Sequence, residues 1–384
     1  MSKAPDNSAE IAQWLRLINA EGVGAVTFAR LLKAFGSVER AMGTSIKDLC
    51  GVEGIGLNTA ERIFRSRNSF DAEKEIELAE KNGVWIIHLN DERYPAVLKK
   101  TYDPPPVIYI KGTLSKADNL SLAIVGSRKC SIYGQEQASR FAHLLASAGF
   151  TICSGMARGI DTAAHQGALS AGGRTIAVQG CGLLDIYPPE NKKLFEQITE
   201  SGACISELPL KSEPRAENFS YRNRIIAGLS LGTIVVEAGF NSGALITAQA
   251  ALENDREVMA VPGRIDSPLS RGANQLIKQG AKLVESVSDI TEALGYVGEQ
   301  VKEQVVSAAK IASDKMDAPL FDIVQLKLNT NEKMIYECLN KEPMHIEQII
   351  EDTGLQAGSI NSALISLQLK GVIKNLPGNF FLRR

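Results

Sequence analysis

Two short stretches carry residues that can hold an anion. Leu122-Ala123-Ile124-Val125-Gly126-Ser127-Arg128 and Thr151-Ile152-Cys153-Ser154-Gly155-Met156-Ala157-Arg158-Gly159-Ile160-Asp161 each run apolar, then stop at glycine and a hydroxyl residue with an arginine close by. A buried strand that ends this way leaves backbone N–H groups with no side chain over them, and a helix beyond it adds its positive end. Two such corners, each beside a cation, are expected to take more than one phosphate. A third stretch, Phe219-Ser220-Tyr221-Arg222-Asn223-Arg224, sets aromatics among arginines, the composition of a base-stacking platform. Ser220 is expected to cap a helix here, placing Arg222 and Arg224 in its first turn, where the dipole opposes cations by roughly 0.3–1 kcal/mol each. An anion shared with the helix end would offset that cost, as would ion pairs with Glu213 or Glu217.

These residues need a scaffold, and the sequence around them alternates strand-like runs with helical patterns. Strands are expected at 122–125, 151–153, 175–178, 203–206, 232–236, 257–261 and 282–284. Runs such as Thr233-Ile234-Val235-Val236 fit strands buried on both faces of a parallel sheet. Ala138, Phe141, Leu145 and Ala148 give one apolar helix face. The pattern predicts a Rossmann-like α/β core, in which ligands sit outside the carboxyl ends of the strands, where both glycine corners fall. A nicotinamide or flavin site is not expected, because Gly180-x-Gly182 lacks its third glycine and no acidic residue ends the next strand. No Gly-Lys-Ser/Thr is present either, so no P-loop is expected.

Six motifs stand in order. They are Ile124-Val125-Gly126-Ser127-Arg128, Ser154-Gly155-x-Ala157-x-Gly159-Ile160-Asp161-x-x-Ala164-His165, Tyr187-Pro188-Pro189-Glu190-Asn191, Phe219-x-x-Arg222-Asn223-Arg224-Ile225-Ile226, Ser242-Gly243-x-Leu245-Ile246-Thr247-Ala248 and Val261-Pro262-Gly263. Together they closely resemble the DprA/Smf family of DNA-processing proteins. The resemblance implies single-stranded DNA binding, loading of the RecA recombinase, a role in natural transformation and a homodimer built through the Rossmann-like domain. It maps the DNA pocket onto Gly126, Ser127, Arg128, Ser154, Gly155, Phe219, Arg222, Asn223 and Arg224; Arg158, beside the second corner, joins the expected phosphate site. Amides and arginines would hold phosphates there, while an aromatic accepts a base face without reading its identity.

Enzyme readings are weighed beside this one. Asp161 and His165 stand one helical turn apart, but no third metal ligand is near in sequence, so an N-cap aspartate and a packed histidine are expected. Gly232-Thr233-Ile234-Val235-Val236-Glu237 loosely resembles the Pro-Gly-Gly-x-Gly-Thr-x-x-Glu motif of nucleoside-monophosphate phosphoribohydrolases, though Leu229-Ser230-Leu231 replaces its leading residues. Such an enzyme, with Glu237 as acid/base at the same phosphate corner, is the alternative. The leading expectation is a non-enzymatic protein with no cofactor, no metal and no catalytic residue.

The totals bound the remainder. At 384 residues, with 44% apolar and 22% charged residues, the chain is of ordinary globular composition and long enough for several domains. The net charge of -2 means that any nucleic-acid site is a local cluster. Six scattered cysteines without a C-x-x-C, and four histidines, show no zinc spacing. No apolar run reaches the ~18 residues that span a bilayer, and the first residues lack a signal-peptide pattern, so a cytoplasmic protein without a membrane partner is expected.

Four segments are expected: a helical domain at 1–68, the extended Rossmann-like domain at 69–295, a linker at 296–328 and a winged helix at 329–384. In the first, Gly51-Val52-Glu53-Gly54-Ile55-Gly56-Leu57 resembles a helix-hairpin-helix turn, repeating an earlier Gly22-Val23-Gly24. Tyr94-Pro95 and Asp103-Pro104-Pro105-Pro106 exclude helix from the connector, whose runs at 84–89 and 107–110 are expected to extend the sheet. The last segment resembles the winged-helix domain of many family members. Its expected recognition helix, 359–370, carries one cation, at Lys370, with Arg383 and Arg384 beyond it. A protein-contact or regulatory role is therefore expected ahead of duplex reading.

Overall fold

The computed structural model describes residues 8–295, 328–340, 342–369, 372–376 and 378–383. The expected linker, Lys370 and Arg384 lie outside the described residues. Two units divide the chain, residues 1–309 and 310–384.

The first unit opens with helices α1 (Ser8–Ile18), α2 (Ala25–Phe35), α3 (Val38–Gly43), α4 (Ile46–Cys50), α5 (Leu57–Ser66) and α6 (Ala72–Lys81). The two glycine turns fall where expected, between α1 and α2 and between α4 and α5. Gly24 and Gly56 start the second helix of each pair. Val23 and Ile55, which precede those glycines, are both buried. These helices do not stand apart from the sheet. Trp14, Leu15 and Phe28 share one core with Val84, Val107 and Tyr109, and Trp14 stacks on His88 at 4.6 Å between ring centroids.

Strand β1 (Val84–His88) and, after the short helix α7 (Ala96–Lys99), strand β2 (Val107–Gly112) form the antiparallel edge of the sheet. Helix in this proline-rich connector corrects the expectation of none: α7 begins immediately after Pro95, where a fixed φ suits a helix start. The core then alternates β3 (Ser121–Val125), α8 (Ile132–Ser147), β4 (Thr151–Ser154), α9 (Ile160–Ser170), β5 (Thr175–Val178), α10 (Lys192–Ser201), β6 (Ala203–Ser206), α11 (Ala216–Leu229), β7 (Gly232–Val235), α12 (Gly243–Glu253), β8 (Glu257–Ala260), α13 (Arg271–Lys278), β9 (Lys282–Leu283) and α14 (Val287–Ala293).

The nine strands lie in the order β1-β2-β6-β5-β4-β3-β7-β8-β9, parallel from β6 to β9. This is a Rossmann-like sheet with every residue of β3, β4, β5 and β7 buried. Successive strands spread from β3 to one side as far as β6, and then β7 starts the other side. The crevice between the carboxyl ends of β3 and β7 is therefore the topological switch point, where open α/β sheets bind ligands.

Helix α11 departs from expectation. It begins at Ala216, after Pro214 and an extended Arg215, not at Ser220. Nothing in Ala216-Glu217-Asn218 breaks a helix, and Glu217 suits the positive end. Arg222 and Arg224 therefore sit mid-helix, and the dipole argument for a shared anion does not apply to them.

The second unit contains α15 (Thr330–Cys338), β10 (Met344–His345), α16 (Ile346–Thr353), α17 (Ala357–Leu369), β11 (Ile373–Leu376) and β12 (Phe380–Arg383). Three helices and a β-wing make a winged helix around Ile335, Ile349, Ile360, Leu364 and Phe381. Gly354 ends α16 in the left-handed conformation at φ 65°, forming the corner before α17. Strand β10, which pairs with β12, has only two residues and no periodicity to betray it.

Candidate nucleic-acid interface

A cleft of about 530 Å³ opens at the switch point. Its walls are the β3 corner, the exposed face of α11 around Phe219, and the loop and first turns of α12. Gly126 is required at the base of the β3 corner, since a Cβ there would stand 2.8 Å from the carbonyl oxygen of Glu237. That contact ties the two central strands together: the Ser127 N–H donates to the same oxygen at 2.7 Å.

Six of the ten expected site residues line the cleft: Gly126, Ser127, Arg128, Phe219, Arg222 and Asn223. Arg128 and its neighbour Lys129 are exposed, and among the described residues neither has a carboxylate partner. The Arg128 guanidinium carbon lies 5.3 Å from the centroid of the Phe219 ring. That ring is half-buried and tilted against Tyr187, 5.3 Å away. The mouth of the cleft thus joins two free cations to an aromatic face.

Arg222 has a different part. Only 4% exposed, it donates from Nη1 to the carbonyl of Gly155 at 2.8 Å and to that of Val178, and from Nε to Asn223 Oδ1 at 3.3 Å. Burial pushes its pKa down to about 10, with the nearby charge of Asp161 opposing that shift. It is a buried clamp between the ends of β4 and β5, and it contributes positive potential from beneath the floor.

Ser154 and Gly155 do not line the cleft. The Ser154 hydroxyl donates to the carbonyl of Ile124 at 2.6 Å, and the Gly155 N–H donates to Asp161 Oδ2 at 3.1 Å. Ala157 N–H reaches the same oxygen at 3.3 Å. The second glycine corner is therefore filled by the protein's own carboxylate. Gly155 leaves it room, since a Cβ there would meet Arg222 Nη2 at 2.6 Å and Asp161 Oδ2 at 2.8 Å. Asp161 is not the expected N-cap; Gly159 holds that position, and Asp161 reaches back from the first turn of α9. Burial raises its pKa, with the Arg222 charge and the two amide donors opposing.

Arg158 and Arg224 lie outside the cleft in ion pairs. Arg158 grips Glu190 through Nε and through Nη2, the latter at 3.0 Å. Arg224 donates to Glu207 and, at 2.6 Å, to the carbonyl of Asp103, whose carboxylate stands 3.3 Å from Nε. Its partners are thus Asp103 and Glu207 rather than Glu213 or Glu217. They are distant in sequence, which is why local spacing did not point to them.

Two enzyme readings also resolve into placement. Both carboxylate oxygens of Glu237 are engaged by Ser131, through N–H at 2.8 Å and Oγ–H at 2.6 Å, at the start of α8. His165 is fully buried beside Thr175, with Nδ1 2.7 Å from its hydroxyl oxygen, and burial pushes its pKa down to about 3. No cluster of three or more metal-ligating side chains occurs among the described residues. No helix among them is long and apolar enough to cross a membrane.

Sequence reasoning missed Lys129, Tyr187, the α12 cap Ser242 and the α12 residue Thr247. All but Lys129 stand within the ordered motifs, and Lys129 directly follows one.

The family model described as DNA recombination-mediator protein A matches residues 85–295. A DprA winged helix domain model matches 325–379, and a DprA-like N-terminal HHH domain model matches 8–44, the first of the two glycine-turn units. Protein Smf of Synechocystis sp. is 34% identical over 98% of this chain and 100% of its own length. Protein Smf of Escherichia coli is 38% identical over 86% of each chain. The crystal structure of DNA processing protein A from Streptococcus pneumoniae superposes with a TM-score of 0.64 at 34% identity, covering 76% of this chain and 98% of that one. By sequence and by fold, this chain belongs to the DprA/Smf family of DNA-processing proteins.

Proposed function

We propose that this protein binds single-stranded DNA in the switch-point cleft and loads the RecA recombinase onto it during natural transformation, acting in the cytoplasm as a homodimer formed through the Rossmann-like domain. The observation that carries the DNA reading is the gathering in one cleft of two cations without carboxylate partners, Arg128 and Lys129, with the half-buried ring of Phe219. Either form of DNA offers a phosphate to a cation, but only an unpaired nucleotide can lay its base face on a ring, a contact that a stacked duplex withholds. Membership in a family described as a recombination mediator supports the hand-off to a recombinase.

The engagement of Glu237 by Ser131 argues against the phosphoribohydrolase alternative, because that carboxylate caps a helix rather than standing free for proton transfer. Comparison of single- and double-stranded oligonucleotide binding by the full chain, across a salt titration, tests the proposal. Preference for the single strand with affinity falling as salt rises is expected. Equal binding of both forms, or none, would overturn it.

A further inference from the structure

Ser242, Gly243 and Thr247, from the motif Ser242-Gly243-x-Leu245-Ile246-Thr247-Ala248, line the same cleft. Ser242 caps α12, its Oγ accepting from the Ala244 N–H at 3.3 Å, while the Gly243 N–H has no hydrogen-bond partner among the described residues. Thr247 follows one turn later. Four positions apart on one helix, Thr247 and Gly243 share a face, and the space where a Cβ would stand on Gly243 is open. Thr247 is 1% exposed, and its hydroxyl has no partner among the described residues.

Ser127, on the β3 corner, is 9% exposed, and its hydroxyl is likewise unpartnered among the described residues. Neither oxygen is among the polar atoms sealed from solvent, so each opens onto the cleft that both residues line. A hydroxyl that no protein group engages and that opens onto a cleft keeps its hydrogen-bonding capacity for whatever enters it. Two in one cleft, beside a helix N-terminus with a free amide, describe a site that waits for an acceptor with several oxygens.

We propose that Ser127, Thr247 and the Gly243 amide form a seat for one nucleotide phosphate, separate from the Arg128–Lys129 mouth. The seat receives the phosphate of the nucleotide whose base lies on Phe219, and in this it rests on the DNA-binding reading above. Its chemistry is that of neutral donors. The Asp161 carboxylate also lines the cleft and opposes an anion, and the charge of Arg222 nearby compensates it. A phosphodiester within a strand and a phosphate monoester, terminal or free, present the same oxygens, so both are tested.

The experiment uses the full chain and its Thr247→Val variant, with fluorescein-labelled oligothymidylate as probe and thymidine and thymidine 5′-monophosphate as competitors. In the wild type the monophosphate is expected to compete better than thymidine, and Thr247→Val is expected to remove about tenfold of that advantage. The variant's melting temperature should be unchanged or raised, since its hydroxyl has no protein partner to lose. A weaker hold on the oligothymidylate as well assigns the seat to phosphodiesters; loss confined to the monophosphate assigns it to monoesters. Equal competition by both competitors, or an advantage that survives in the variant, overturns the seat. A wild type that ignores the oligothymidylate but binds the monophosphate by calorimetry, with Thr247→Val losing that binding, overturns the DNA reading and leaves the seat standing.

Discussion

The Asp161 carboxylate is held by the Gly155 amide at 3.1 Å, inside the corner that a strand ending in Ser-Gly leaves open. An internal anion thus occupies one of the two phosphate-like corners, and the Arg222 charge beside it raises no net demand for a ligand. Asp161→Ala would leave two amides and a buried guanidinium uncompensated. A loss of about 3 kcal/mol in folding stability is expected, read from urea unfolding. A change below about 0.5 kcal/mol would show that the corner tolerates being empty.

Arg128 and Arg222 look alike in sequence but should respond differently to substitution. Arg128→Ala or Lys129→Ala removes an exposed, unpaired cation, so stability should be unchanged. Single-strand affinity should fall with little dependence on base sequence, and the salt slope should drop by about 0.7 for each phosphate that is no longer neutralised. Arg222→Ala removes the donors that Gly155 and Val178 accept from, and it should lower the melting temperature first. Gel-shift titration beside thermal unfolding separates the two; equal melting temperatures for all three variants would contradict the division.

Glu237→Gln distinguishes a capping carboxylate from a catalytic one. The amide can accept from Ser131 with one oxygen only, so α8 loses part of its cap and about 1 kcal/mol of stability is expected to go with it. Incubated with a nucleoside monophosphate, neither wild type nor variant should release free base. Release by the wild type that the variant lacks would restore the hydrolase reading.

The parallel core was legible because its signal is local. Thr233-Ile234-Val235-Val236 is β-branched and wholly apolar, and β7 occupies it almost residue for residue. One wall of the cleft was legible for the same reason, since the β3 glycine corner ends a buried strand, whereas the second corner is filled by Asp161 and does not line it. The roles of individual cations were not. What buries Arg222 is a glycine 67 positions away, and what pairs Arg224 with Asp103 lies 121 positions away. Neither distance leaves a trace in spacing, and the start of α11 was misplaced because Ser220 is a good cap that a proline six residues earlier made unnecessary. Thr247 reads in sequence as a helix interior residue, and only the crossing of α12 over the cleft makes its hydroxyl a candidate donor.

The pair Glu207–Arg224 gives a pH dependence whose sign can be worked out. Burial pushes the Glu207 carboxyl up to about 7, the charge of Arg224 opposing and that of Asp103 reinforcing. The Asp103 carboxyl is raised as well, chiefly by burial. In an unfolded chain a glutamate titrates near ~4.3. Between those values the folded protein holds a proton that the unfolded chain has released, so this group favours folding most at low pH. Its contribution is lost as pH climbs toward 7. Other carboxylates, such as Asp91 beside Arg93, are shifted downward and act in the opposite sense, so the test is a difference. Glu207→Gln should come closest to the wild type near about pH 4 and exceed it increasingly in melting temperature toward about pH 8, where the native carboxylate is charged in a buried setting. Parallel curves across that range would mean that Glu207 stays ionised against Arg224 throughout, and that the ion pair overcomes the burial.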